Sequence, residues 1–391
     1  MICKWPVKRT PGPLYPLILL LSIAIRPLHG DEAPAPSTVR ESPPFSTRSA
    51  RPAACRFLAA TDKHFRYDGR FDFKNPQSVS TIWQGSRISI DFSGERIAFE
   101  FGRVQNQDFF DLELDGDSYV LPLRNNESNQ IIVFEKARGS GRHHLILTKR
   151  SEADAGTAQF MGIEIDPKGK VWKPETPDYK LRMEFFGDSI TAGACDEDGE
   201  VDQWENRLTH NSSKSYAAFT ARAFSADYRN ISVSGMGIVT GWVDKRAIQI
   251  WDRIYPDPAS PMADLSAWKP DVVFVNLGEN DDSFSRSKKQ EFPKAFAGEY
   301  LALVHAIRKA CPRAEIILLR GGMSGGAQSP ELRAAWNDAT SQLEAEDRRT
   351  THFVFSHWSN NHPRVKDHRV MADELIAWLQ QQPFMARERR E

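Results

Sequence analysis

The sequence predicts an α/β protein with an N-terminal β-sandwich followed by a five-stranded parallel sheet covered by helices. Three observations carry that prediction. From about residue 55 to 168, apolar residues recur with period two between turn signals. After Pro167, continuous apolar runs alternate with helical stretches. The chain, at 391 residues, is also longer than one ordinary domain.

The first thirty residues read as an export signal. Lys4, Lys8 and Arg9 precede the apolar run "LYPLILLLSIAI" at 14–25, which is too short to span a bilayer, and "LHG" at 28–30 offers a cleavage site. The expected location is therefore secreted or periplasmic. Residues 31–54 are rich in Pro, Ser and Ala and predict a flexible leader.

The sandwich is expected over 55–168. Ile88, Ile90 and Phe92 alternate with polar residues, Ser93-Gly94 makes a turn, and Ile97, Phe99 and Phe101 resume the alternation. Asp115-Gly116 between two strand-like runs signals a hairpin. "HHLILTKR" and "AQFMGIEID" continue a series that suits a sandwich of jelly-roll type.

The second domain is expected over 175–383. "MEFFGD", "YRNISVSG", "DVVFVNLGEND", "AEIILLRGG" and "THFVFSHW" supply five strands. Helices are expected around 215–224 and near 291–310, 331–346 and 364–381. In an open parallel sheet the site lies at the carboxyl ends of the strands.

Composition narrows the function. Charged residues make up 26% and nearly balance, for a formal net charge of −1, and loss of residues 1–30 would bring it to about −5. No basic stripe points to nucleic acid and no polybasic run to a membrane surface. Cys3 leaves with the signal, and Cys55, Cys195 and Cys311 have no metal-ligand spacing. No cofactor or metal is expected, and the oligomeric state is left open.

Chemistry-bearing residues fall at strand ends. Ser189 stands in the Gly-Asp-Ser corner of "EFFGDSITAG", Gly235 in "NISVSGMGI", Asn280 in "NLGEND" and His362 in "HWSNNHP". Acyl transfer needs a hydroxyl, an imidazole to take its proton, and donors for the oxyanion. The competing reading of Ser189 is a helix cap, and that of Gly235 an ordinary tight turn, with Gly237 as its runner-up. His352, His357 and His368 near His362 raise a metal reading, which their spacing does not support.

In order, "FFGDSITAG", the glycine of "SVSGMG", "NLGEND" and the C-terminal His-Pro resemble the four blocks of the SGNH (GDSL-type) hydrolases over residues 182–380. "RYDGRFDF", "WQGSRISIDFSG", "LELDG" and "LTKRSE" resemble the jelly-roll domain that precedes the hydrolase in carbohydrate esterase family 2. The resemblance implies a flavodoxin-like hydrolase domain and metal-free hydrolysis of acetyl esters on polysaccharides such as xylan or glucomannan. It implies Ser189 as nucleophile, His362 as general base and then acid, and an oxyanion hole from Gly235, Asn280 and the Ser189 amide. One departure stands out. Many SGNH enzymes carry Asp three residues before the histidine, where this chain has Ser359. A main-chain carbonyl of Trp358 or Ser359, or an acid from elsewhere, must then orient the imidazole. The acidic loop "GDSITAGACDEDGE" also lacks the Tyr-Gly often found after the nucleophile.

Trp358, Phe284 and Trp242 are candidate sugar platforms, with Trp251 a further aromatic near a strand end; the competing reading is packing. Two other functions remain in view, a lipase-like or aryl esterase and a decayed carbohydrate-binding protein.

Overall fold

The structure is a computed structural model and describes residues 44–136 and 139–385. The export signal expected at 1–30, and residues 31–43 of the expected leader, lie outside the described residues. The chain from Pro44 onward forms one compact unit.

The sandwich is built from a seven-stranded and a six-stranded sheet, all pairings antiparallel, among the described residues. Alternation places Ile88, Ile90 and Phe92 of strand Arg87–Ser93 and Ile97, Phe99 and Phe101 of strand Ile97–Asn106 in one buried core. These strands belong to different sheets, so the Ser93-Gly94 turn carries the chain across the sandwich. The hairpin at 115–116 pairs Phe110–Leu114 with Asp117–Leu121; Asp115 (φ 56°) and Gly116 (φ 88°) are both left-handed, which matches the twist of the flanking strands.

The expected leader ends earlier than residue 54. Phe45–Arg48 is an edge strand that pairs with Gln130–Phe134. Phe45 packs edge-on against Tyr119 and Phe134, with ring centroids 6.3 and 5.4 Å away. Arg48 pairs with Glu164, and Arg51 donates to Glu100 at 2.7 Å. Averaged composition hides a four-residue strand that needs only one aromatic anchor and a sheet edge waiting for it.

The third sheet, that of the second domain, has five parallel strands in the order Ala226–Ser232, Leu181–Gly187, Val272–Asn276, Glu315–Met323, Thr350–Ser359. In sequence terms this is 2-1-3-4-5, the flavodoxin-like order. Every residue of Val272–Asn276 is buried, as a central strand covered on both faces requires. Tyr216–Ala223 and Val365–Leu379 cover one face, and Phe296–Ala310 and Pro330–Glu346 cover the other.

One helix lies outside the expected set, and the last one matches it. Glu279–Lys288 is a helix that the apolar pattern does not announce. Glu279, Asp281 and Asp282 lie in its first turn and Arg286 and Lys288 in its last, so charges complement the helix dipole where periodicity is absent. The final helix begins at Val365, after Pro363, with Asp367 accepting from the Arg364 N–H at 2.9 Å. Cys55, Cys195 and Cys311 are free thiols.

The two domains share a polar and aromatic seam. Trp83 Nε1 donates to Ile254 O at 2.7 Å, and Arg70 donates to Trp251 O and Arg253 O at 2.9 and 2.8 Å. Gln84 Nε2 donates to Asn230 and to Ser232 O at 3.1 and 2.9 Å.

Candidate active site

Ser189 opens a four-residue helix directly after strand Leu181–Gly187 and is buried to 5% exposure. Asp188 caps that turn, accepting from Ile190 N at 3.0 Å, so the cap role belongs to Asp188 and leaves the Ser189 hydroxyl to other work. As the first residue of a helical turn, Ser189 has a backbone N–H with no intrahelical acceptor.

Gly235 has φ +78° at the end of the neighbouring strand, and its carbonyl accepts from Trp242 N at 2.8 Å. Gly237 does a different job. A Cβ there would lie 1.8 Å from Thr240 O, so the turn that Asp281 holds admits only glycine. Asp281 accepts from the N–H groups of Ile238, Val239 and Thr240 at 2.8, 2.8 and 3.0 Å. Asn280, on the first turn of its helix, donates from Nδ2 to Met236 O at 3.0 Å and to Asp188 at 3.2 Å. Both of its N–H groups are engaged, and the Asp188 contact is the longer.

Burial dominates the acids beneath the nucleophile. It pushes the Asp188 carboxyl up to about 8, helped by the charges of Glu279 and Asp281. Burial also raises Asp281 to about 6 despite three backbone donors, and raises Glu279 despite two.

On the histidine side the geometry differs. His362 Nδ1 lies 2.6 Å from Asp202 Oδ2, so its partner is neither Ser359 nor a main-chain carbonyl. Arg364 Nη1 stands 2.7 Å from the other Asp202 oxygen. Trp204 stacks on His362 with centroids 5.5 Å apart and planes at 29°. The segments are laced together: Arg364 donates to Gly199 O and Cys195 O at 2.7 and 3.0 Å, Asn361 to Glu200 O at 2.9 Å, and Val365 N to Asp196 O at 3.0 Å. The loop that leaves the Ser189 turn is thereby brought to His362. Burial works against ionisation of Asp202, but the hydrogen bond and charge of His362, with Arg364, hold it well below the usual carboxylate range.

A residue of the sandwich also reaches the site. Glu152, 1% exposed, accepts from Arg207 at 3.0 Å and from Ser234 N at 3.2 Å, and lies 3.3 Å from His210 Nδ1. Against burial, the hydrogen bond and charge of His210, with Arg207 and Ser234, lower its carboxyl to about 2. Arg207 lies over the Trp204 ring at 4.1 Å. One carboxylate therefore touches both the Gly235 turn and the loop beside His362.

The other histidines do not cluster. His352 bonds Glu344, His357 bonds Asp367, and buried His368 accepts from Tyr216 N at 3.2 Å. Cys195, Asp202 and His362 each place one donor atom within 4.8 Å of the others. Burial pushes the Cys195 thiol far up and keeps it neutral.

Among the aromatics, Trp242 is 52% exposed, meets Phe284 edge-on at 5.5 Å and donates to Ser283 at 3.0 Å. Trp358 is 36% exposed on the last strand, opposite Gly322. Trp251 is core.

Asp202, Glu152 and Trp204 are the residues that motif reading missed. The one sequence signal was the acidic character of the loop after Ser189.

Comparison with known proteins agrees with the two-domain fold. Residues 67–174 match the carbohydrate esterase 2 N-terminal family, and residues 185–374 match the GDSL-like lipase/acylhydrolase family. The chain is 30% identical over 80% of its length to the cellulase/esterase CelE of Acetivibrio thermocellus, of which it spans 38%. It is 27% identical over 78% of its length to an acetylxylan esterase/glucomannan deacetylase of Cellvibrio japonicus, of which it spans 86%. A family two carbohydrate esterase from Clostridium thermocellum, solved in complex with cellohexaose, superposes with a TM-score of 0.71 at 27% identity, covering 81% of this chain and 98% of that one. The family two esterase structure from Cellvibrio japonicus shares the fold with a TM-score of 0.73 at 22% identity, covering 85% and 98% of the two chains. With a sandwich and a GDSL-type domain joined in the same order, this chain matches the family 2 carbohydrate esterases across both of its domains.

Proposed function

We propose that this protein is an exported carbohydrate O-acetyl esterase that removes acetyl groups from a polysaccharide such as xylan or glucomannan through a serine acyl-enzyme. The observation that carries the reading is a strand-end serine, Ser189, on a turn whose following loop reaches His362 and, through Asp202, holds its Nδ1 with a carboxylate. The charged Nδ1 partner leaves Nε2 as the nitrogen that takes a proton.

In this reading Ser189 Oγ attacks the acetyl carbonyl as His362 Nε2 removes its proton. The oxyanion forms beside the N–H groups of Ser189 and Gly235, and Asn280 Nδ2 turns to it from Asp188. Collapse expels the sugar hydroxyl, protonated by His362. A water activated by the same imidazole then releases acetate. Trp358, Trp242 and Phe284 are the residues proposed to meet the sugar rings. The N-terminal apolar run supports export.

The test is acetate release from acetylated xylan and glucomannan, compared with esters of longer acids, with the Ser189→Ala protein as control. Preference for acetyl groups on polysaccharide supports the reading. Preference for long acyl chains replaces it with a lipase-like or aryl esterase, and no turnover at all with a decayed binding protein.

A further inference from the structure

Position 359, where many enzymes of this type carry an aspartate, is Ser359 here. We infer that Asp202, on the loop following the nucleophile turn, is the positioning residue for His362, holding its Nδ1–H and the positive charge it gains during turnover. The inference rests on the esterase reading above and adds a residue 160 positions from the histidine it serves.

Three independent features of the geometry support it. Asp202 Oδ2 meets His362 Nδ1 at 2.6 Å and also faces the His362 backbone N–H at 3.4 Å, so it grips both the ring and its attachment. Such a short contact is typical of a charge-assisted bond. Arg364 ion-pairs with the second Asp202 oxygen while its guanidinium also holds Gly199 O and Cys195 O. The carboxylate is therefore fixed by the same segment that carries the imidazole. The loop is also braced from outside: Trp204 lies against His362, Arg207 lies over Trp204, and Arg207 ends on buried Glu152 of the sandwich. Serine at 359 cannot supply charge, and no hydrogen bond joins Ser359 to the ring among the described residues. Asp202 thus supplies from a neighbouring loop the charged partner for Nδ1 that Ser359 cannot.

The experiment uses the full chain, with two readouts: deacetylation of acetylated xylan across pH, and the rate at which a fluorophosphonate labels Ser189. Asp202→Asn should lower kcat by about 10³–10⁴-fold, as the isosteric change does at a serine-protease triad, with KM within about twofold. It should slow labelling in parallel and move the acid limb of the rate profile to lower pH, because the imidazolium loses its anionic neighbour. In a His362→Ala background the same change should cost less than about threefold, since groups that act as a unit are not additive. An equal cost in both backgrounds means that Asp202 serves the fold alone, and overturns the inference. So does an Asp202→Asn protein with wild-type labelling and pH profile. If wild type labels at Ser189 but deacetylates none of the polysaccharides, the substrate reading fails, while the labelling rates still decide the role of Asp202.

Discussion

Two groups of carboxylates flank the same reacting corner and behave oppositely. Asp188, Asp281 and Glu279 lie under the nucleophile, and burial drives all three toward the neutral form. Asp202 and Glu152 lie on the histidine side, where hydrogen bonds and charge from His362 with Arg364, and from His210 with Arg207, hold both low in spite of burial. The difference is not one of depth, since Asp188 and Glu152 are both 1% exposed. It is one of company. Asp188 faces an amide, a backbone N–H and other acids, whereas Glu152 faces Arg207 and His210. The lesson is that the acid next to the nucleophile, Asp188, is pushed toward neutrality, while the acids on the histidine side are held low. An ionised Asp188 next to Ser189 would oppose the anion of the tetrahedral intermediate; a neutral one does not.

Breaking each side tests the comparison. The largest effect is expected from Ser189→Ala, which should cut acetate release by about 10⁶-fold with the melting temperature unchanged. Asn280→Ala, on the oxyanion side, should lower kcat by about 10²–10³-fold. An effect below twofold would remove Asn280 from the oxyanion hole.

Glu152→Gln should destabilise the protein by about 3 kcal/mol, because it leaves half-buried Arg207 and buried His210 without their anion. Denaturant unfolding measures this, and a change under about 0.5 kcal/mol would mean that the seam does not depend on that charge.

The pH dependence of unfolding should separate the two sides by sign. The folded Glu152 carboxyl lies near 2, below the unfolded value of about 4.3, so its stabilisation is present above that value and fades as pH falls toward 2. The folded Asp188 carboxyl lies near 8, above the unfolded value of about 3.9, so its contribution is greatest in acid and is lost as pH rises toward 8. Melting curves of Asp188→Asn should therefore lose part of the decline seen between pH 5 and 8, whereas Glu152→Gln should lose part of the decline below pH 4. The same curve for both variants would show that the two sides do not differ.

Ser359→Ala should change kcat by less than about twofold, the smallest effect of the series. A collapse in rate would return the histidine's support to its own strand.

Much of this architecture was legible in the chain. Period-two alternation over Ile88–Phe101 and the Asp115-Gly116 turn announced the sandwich, and the apolar run "DVVFVN" announced a central parallel strand. Ser189, Gly235, Asn280 and His362 stood out as candidates because each follows the end of a parallel strand in a recognisable block. Strand Phe45–Arg48 was not, since a short edge strand is held by its neighbours more than by its own composition. Helix Glu279–Lys288 was hidden because its order comes from terminal charges instead of an apolar stripe.

What the sequence by itself determined is the order of the two domains, the face each strand buries and the turn on which Ser189 stands. These depend on the period of apolar residues and on turn chemistry, which act over a few positions. Only the tertiary structure decided which carboxylate serves His362, which residue of the sandwich reaches the hydrolase domain, and which buried acids keep their charge. Those outcomes depend on partners 55 to 160 positions away and on the burial they share, and electrostatics in a desolvated interior is set by distance in space, not by distance along the chain.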